Sequence, residues 1–220
     1  MSASVERPSS GPSTSFFVLG LTGSIGMGKT TVGRFFTARG IPLLDADEVV
    51  HELYSVGGAA VAPVAAAFPS AVSGGAVSRP ALSACVVGND AAMAQLEAIV
   101  HPLVAQRRRD FLENSMSEGH TLVVLDIPLL YETKSEGAVD AVAVASAGGD
   151  AQRARVLARP GMTEEKFMAI LARQVPDEEK RRRADYVIDT SASLQETEAQ
   201  VDALVASLRG KQGQVYSGLL

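Results

Sequence analysis

The chain has 220 residues, 46% of them hydrophobic and 20% charged, a balance that suits one globular core with room for an inserted subdomain. A net charge of −5, no tryptophan and only 5% aromatics argue against broad binding to a phosphate backbone or stacking on single strands, so no nucleic-acid partner is expected. No apolar run approaches the ~20 residues that span a bilayer, so no membrane partner is expected either; the single cysteine, Cys85, rules out an internal disulfide and fits a reducing compartment.

In chain order, "MSASVERPSSGPSTS" (1–15) is rich in Ser and Pro and lacks the apolar core of a secretory signal. Glu6, Pro8 and Pro12 oppose an amphipathic targeting helix, so a disordered leader on a cytoplasmic protein is expected, with organellar targeting left open. Phe16 to Leu21 reads as a buried strand and Lys29 to Ala38 as the helix after it, closed by Gly40. "IPLLD" (41–45) is a second short strand ending at an aspartate, followed by a helix over 48–54. From about 57 to 118 the texture is alanine-rich and helical, with a turn at Gly74–Gly75 and no strong strand, as in a helical insertion. "TLVVLDIPLL" (121–130) is a third strand running into a proline loop, and "VDAVAVAS" (139–146) a fourth. A helix over 150–159 breaks at Pro160–Gly161 and resumes over 163–174 behind a capping-box-like "TEEK". "DYVIDT" (185–190) is a fifth strand, an amphipathic helix covers 194–208, and 209–220 reads as a poorly ordered tail. Apolar strands alternating with helices predict an α/β fold, a parallel sheet covered on both faces.

Residues 23–30 fit G-x-x-x-x-G-K-[ST], and the motif follows an apolar strand and opens a helix. Gly23, Gly26 and Gly28 let the backbone curl, so that the amides of Ser24, Ile25, Met27 and their neighbours point at phosphate oxygens, with the helix dipole behind them. Lys29 reaches the β- and γ-phosphates, the Thr30 hydroxyl can ligate Mg²⁺, and Thr31 completes the turn. The anion is a nucleoside triphosphate. No N-K-x-D base-recognition sequence of a guanine switch occurs, and the chain is short for a mechanical ATPase. Asp45 and Asp47 end a strand near the loop; they can orient an acceptor hydroxyl and take its proton, or, for Asp47, cap the next helix. Arg153, Arg155, Arg159 and Arg173 flank the "RPGMT" break, either as a kinase lid or as a solvated basic face. "RRR" (107–109) and "KRRR" (180–183) read as surface charge, or as runs that flank an anionic substrate; His51 and His120 read as surface residues, and Asp126 ends its strand where it could reach Mg²⁺ through water.

With these pieces quoted, the sequence resembles the dephospho-coenzyme A kinases from about Phe17 to Leu208. The resemblance rests on "GLTGSIGMGKTTV", "GIPLLDADEVVHELY", "SRPAL", "LEAIVHPLV", "LDIPLLYET", "LARPGMTEEKFMAILARQ" and "ADYVIDTSASL". It implies a five-stranded P-loop fold, residues 16–208, with a helical lid over about 150–175 and a helical CoA subdomain over about 57–118. It also implies ATP and Mg²⁺ as cofactors and phosphorylation of the ribose 3′-hydroxyl of dephospho-CoA, the last step of coenzyme A synthesis. By position, Asp47 matches the family's catalytic base, Lys29 and Thr30 its phosphate and metal contacts, and Arg159 its lid arginine. Arg79 and His101–Pro102 fall in the CoA subdomain, although His101–Pro102 can equally be a helix-start turn. Pro128 and Leu130 are expected against the acceptor, beside Asp45. Thr190 stands where the family commonly has an Asn that helps hold adenine, which puts the preference for ATP over GTP in doubt. The rival readings are another metabolite kinase, or a nucleotide-dependent switch without turnover.

Overall fold

The structure is a computed structural model that describes residues 16–216, so the expected leader and the last four residues lie outside the described residues. A five-stranded parallel sheet is built from β1 (Phe17–Thr22), β2 (Leu43–Asp45), β5 (Leu122–Asp126), β6 (Ala141–Ser146) and β7 (Tyr186–Asp189), in the order β2-β5-β1-β6-β7. Residues of β1, β5 and β6 are buried throughout, because helices cover both faces and no position can face water. On one face α1 (Lys29–Ala38) and α9 (Leu194–Leu208) pack Val32, Phe36, Val201 and Leu204 against Leu19, Leu21 and Ile188. On the other, Leu112, Leu130 and Tyr131 close over Val18, Val123 and Val144.

A third cluster lies beyond the β2 edge of the sheet, where Leu44 packs against it. It is made by α2 (Ala46–Tyr54), α3 (Val61–Ala67), a hairpin of β3 (Val72–Ser73) and β4 (Ala76–Val77), α4 (Arg79–Val86) and α5 (Asp90–Ser117). The hairpin was not expected; its strands are two residues long, too short to leave a period in the sequence. The helix α5 runs without a break through His101 and Pro102, so that pair is no helix start. α6 (Gly149–Leu157) and α7 (Glu164–Leu171) flank the Pro160–Gly161 turn, and a further helix, α8 (Asp177–Arg183), fills the span before β7. Among the described residues, no helix is long and apolar enough to cross a membrane.

Two expectations fail here. Lys180 is not surface charge: it is fully buried, and its ammonium lies 2.9 Å from Glu132. Residues 210–216 are not loose. The Gly213 amide donates to Phe16 O (2.9 Å) and those of Gln214 and Val215 to Asp140 Oδ1 (2.6 and 2.9 Å).

Candidate active site

The loop between β1 and α1 curls into a cradle because its glycines are placed where a side chain cannot go. Gly28 sits at φ 84°, and a Cβ there would lie 2.8 Å from Thr190 Oγ1; one on Gly23 would lie 2.6 Å from Ala145 O. Gly28 is also the N-cap of α1 and offers no side-chain cap, so the first amides of that helix are left for a ligand. Neighbours grip the loop from outside. Gln174 Oε1 accepts from the Ile25 amide (3.1 Å), Gln152 Nε2 donates to Ile25 O (2.8 Å), and Met27 Sδ accepts from the Ala147 amide (3.1 Å). Ser24 and Met27 are buried, whereas Thr30 is exposed at the start of α1.

Lys29 begins α1 and lays its ammonium on Asp126 Oδ1 at 2.5 Å, at the end of β5. Register explains the company it keeps: Asp126 is the lateral neighbour of Leu21 on one side and of Asp45 on the other. Burial pushes the Asp126 carboxyl up to about 6; Lys29 pulls against that, and the charges of Asp45 and Asp47 add to it. Asp45 is the N-cap of α2, accepting the amides of Asp47 (2.8 Å) and Glu48 (3.3 Å). The cap is therefore Asp45, and Asp47 stands exposed at the cleft edge, its carboxylate not spent on the cap.

The arginines divide. Arg155 donates to Thr190 Oγ1 (3.1 Å) and Thr190 O (2.6 Å), while the Thr190 hydroxyl donates to Met27 O (2.8 Å). Thr190 is thus buried beneath the loop as a prop, with its donor already used, and it is not displayed to a base as the sequence suggested. Arg159 lies exposed on the turn after α6 with no side-chain partner among the described residues, as does Arg173 after α7; Arg153 pairs with Glu164. Leu130 is a second correction: it is fully buried under Gly20 in the sheet core, and Leu129 is the exposed residue of that loop. Pro128 is half-buried and its carbonyl accepts from Thr22 Oγ1 (3.1 Å). Arg79 is exposed and stands 5.9 Å over the Tyr54 ring, and His101 is exposed on α5. Both stand on helices of the third cluster described above and not on the elements that carry the loop.

Sequence reasoning missed Gln152, Gln174, Glu132 and Lys180. Burial pushes the Glu132 carboxyl up, but the Lys180 ammonium and backbone amides outweigh it and hold it below the usual carboxylate range. No motif marks these four. Only a glutamine inside a helix face that ought to be apolar hints at Gln152.

A parallel sheet with a phosphate-binding loop at its centre, a pair of helices flanking the Pro160–Gly161 turn beside it and strand-end carboxylates facing its lysine defines a P-loop kinase. The dephospho-CoA kinase family profile matches residues 17–196, and the chain belongs to that family. It is 55% identical over 196 residues to the dephospho-CoA kinase of Mesorhizobium japonicum, covering 89% of this chain and 98% of that one. With the enzyme of Rhizobium meliloti the identity is 52%, over 87% and 98% of the two chains. A crystal structure from Thermus thermophilus superposes with TM-score 0.76 at 35% identity, over 89% and 100% of the chains. That of the Campylobacter jejuni dephospho-CoA kinase, at TM-score 0.60 and 20% identity over 87% and 96%, shares the fold.

Proposed function

We propose that the chain transfers the γ-phosphoryl group of ATP to the ribose 3′-hydroxyl of dephospho-CoA, giving CoA and ADP as the last step of coenzyme A biosynthesis. The observation that carries this reading is the convergence of Lys29, Asp45, Asp47 and Asp126 on one strand-end cleft beside the P-loop, in a member of this family. The phosphates are held by the loop amides that no protein group takes, which corrects the expectation for Ile25 and Met27: those of Ile25, Met27 and Thr31 already donate to Gln174 Oε1, Ser24 O and Gly28 O. Lys29 turns from Asp126 to the transferring group and neutralises charge that builds on it. Asp47, which the helix cap leaves free, aligns the acceptor hydroxyl and takes its proton late in transfer. Arg159 swings in on the lid turn to cover the phosphates, and Pro128, Arg79 and His101 belong to the acceptor side.

The residues present fit Mg²⁺. The exposed hydroxyl residue Thr30 opens α1 and the Asp126 carboxylate ends β5 beside Lys29, one or two oxygen donors for an ion otherwise held by phosphates and water. Thr30 would hold it, with Asp126 reaching it through water. Bound there, Mg²⁺ would neutralise charge on the phosphates during transfer. We place the enzyme in the cytoplasm, where the free thiol of Cys85 stays reduced. The test is a coupled assay of ADP release with and without dephospho-CoA. The reading requires acceptor-dependent turnover and CoA as product; turnover on a different acceptor points to another metabolite kinase, and nucleotide binding without turnover points to a switch.

A further inference from the structure

The helix α8 grips two consecutive residues of the loop after β5. Lys180 is fully buried with its ammonium 2.9 Å from Glu132 Oε1, and one turn on, the Arg183 guanidinium stacks 4.3 Å from the centre of the Tyr131 ring. The same Oε1 of Glu132 accepts the Val175 amide at 2.8 Å, in the segment that joins the lid to α8. The residue before Val175 is Gln174, which holds the Ile25 amide of the P-loop. The other end of the post-β5 loop is tied back to β1 through Thr22 and Pro128, and α8 itself is tied to the end of β6 by Ser146 and Asp177 (2.6 Å). One carboxylate therefore sits where the acceptor-side loop, the lid root and α8 meet.

Stability alone gives little reason for such a pair. Burying two charges incurs desolvation that their attraction only offsets when the geometry is good, and an apolar pair of like volume often folds as well. What a carboxylate adds here is a bond in two directions at once, to a lid amide and to a cation in the next helix.

We propose that Glu132 and Lys180 are positioning residues that couple the two sides of the cleft, so that filling the nucleotide side stiffens the acceptor loop and filling the acceptor side stiffens the lid root. The assignment of sides rests on the function proposed above, but the coupling can be read without it. Coupling is reciprocal, so either ligand reports it.

The experiment is hydrogen exchange on the full chain, comparing the parent with the Glu132→Leu/Lys180→Met double variant. The pairwise change avoids a lone buried charge and removes both bonds of the carboxylate, to the Val175 amide and to Lys180. In the parent, a non-hydrolysable ATP analogue should slow exchange over 127–133 by about 5-fold or more, the low end of ordinary allosteric coupling. Dephospho-CoA alone should do the same over 172–176. In the double variant the P-loop stays protected by the analogue while the effect on 127–133 vanishes, and ATP hydrolysis without acceptor rises relative to transfer. A merely structural pair would lower hydrolysis and transfer together. Analogue protection of the P-loop with no change at 127–133 in the parent overturns the proposal, as does parental coupling in the double variant. Should that variant fail to fold, Arg183→Leu, at an exposed position, must weaken the coupling in the same direction; full coupling there overturns it. A parent that ignores dephospho-CoA refutes the proposed substrate alone, because the analogue arm contains no acceptor.

Discussion

At the scale of single residues, the two aspartates of "DAD" separate by what their oxygens already do. Asp45 spends one oxygen on the amides of Asp47 and Glu48, whereas Asp47 takes no part in the cap. Asp47→Asn should therefore lower kcat by about 10²–10⁴-fold, the usual worth of a general base, with KM for ATP and the melting temperature nearly unchanged. Asp45→Ala should instead destabilise the fold by about 0.5–2 kcal/mol through loss of the cap, and Asp45→Asn should not, since Asn caps as well as Asp. Single-turnover rates and thermal melts on the three variants check this; near-parental transfer by Asp47→Asn would leave it without a catalytic role. Asp126 carries a second prediction. Its folded carboxyl is raised from the ordinary 3.8 to about 6, so it favours the fold fully below pH 3.8 and loses that contribution as pH rises through 6. Asp126→Asn, melted without nucleotide and with chelator, should gain stability over the parent at pH 8 and little at pH 5. An equal difference at both pH values would mean that Lys29 already compensates the buried charge. The sequence made Lys29, Thr30 and the aspartates legible because motif and strand end fix their place. It could not tell which aspartate caps, since that depends on where the helix starts, and helix starts are the least certain element boundary.

At the scale of elements, the arginines flanking Pro160–Gly161 were legible as a set but not one by one. Their spacing around Pro160–Gly161 reads in the sequence as a lid, yet which guanidinium faces the loop depends on how α6 packs on the P-loop, where Gln152 meets Ile25 and Val156 meets Gly26. In the structure Arg155 is a strut between α6 and Thr190, whereas Arg159 on the turn, like Arg173 after α7, has no side-chain partner among the described residues. Arg159→Ala should therefore leave the melting temperature within about 1 °C, as exposed substitutions usually do, while lowering kcat and raising KM for ATP. Arg159→Lys should restore little, because a point charge replaces a planar fork poorly on phosphate. Steady-state constants that match the parent in both variants would make Arg159 surface charge. α8 was not legible at all. "DEEKRRR" has three acids and four bases in seven residues, which reads as a solvated face, and only the tertiary partner Glu132 draws Lys180 inside.

At the scale of the whole molecule, the sheet has a working end and a supporting end, and the chain's last described residues serve the second. The continuous apolar runs alternating with helices made the parallel sheet legible, but not the order of its strands. The tail was not, because its anchor is Asp140, one acid before β6, and backbone capping by a distant carboxylate leaves no period to read. Asp140 Oδ2 accepts the Val18 amide at 2.8 Å while Oδ1 takes Gln214 and Val215, so one side chain bonds the start of β1 to the tail, with Gly213 on Phe16 O beside it. Tyr216 packs, partly buried, against the same core. Deleting residues 213–220 leaves Asp140 without its two tail amides and Phe16 O without its Gly213 donor. Net hydrogen bonds contribute about 0.5–1.5 kcal/mol each, so stability should fall by about 2–5 kcal/mol, with part of the Tyr216 burial included. For a domain of this size that is a melting-temperature drop of roughly 4–20 °C. Turnover at 25 °C should not change, because the tail docks on the first residues of β1 and just ahead of β6, the opposite ends of these strands from the P-loop and Asp126. A truncated chain that melts with the parent would show the tail to be only laid against the fold; one that loses kcat while still folded would mean that the supporting end reaches the cleft after all.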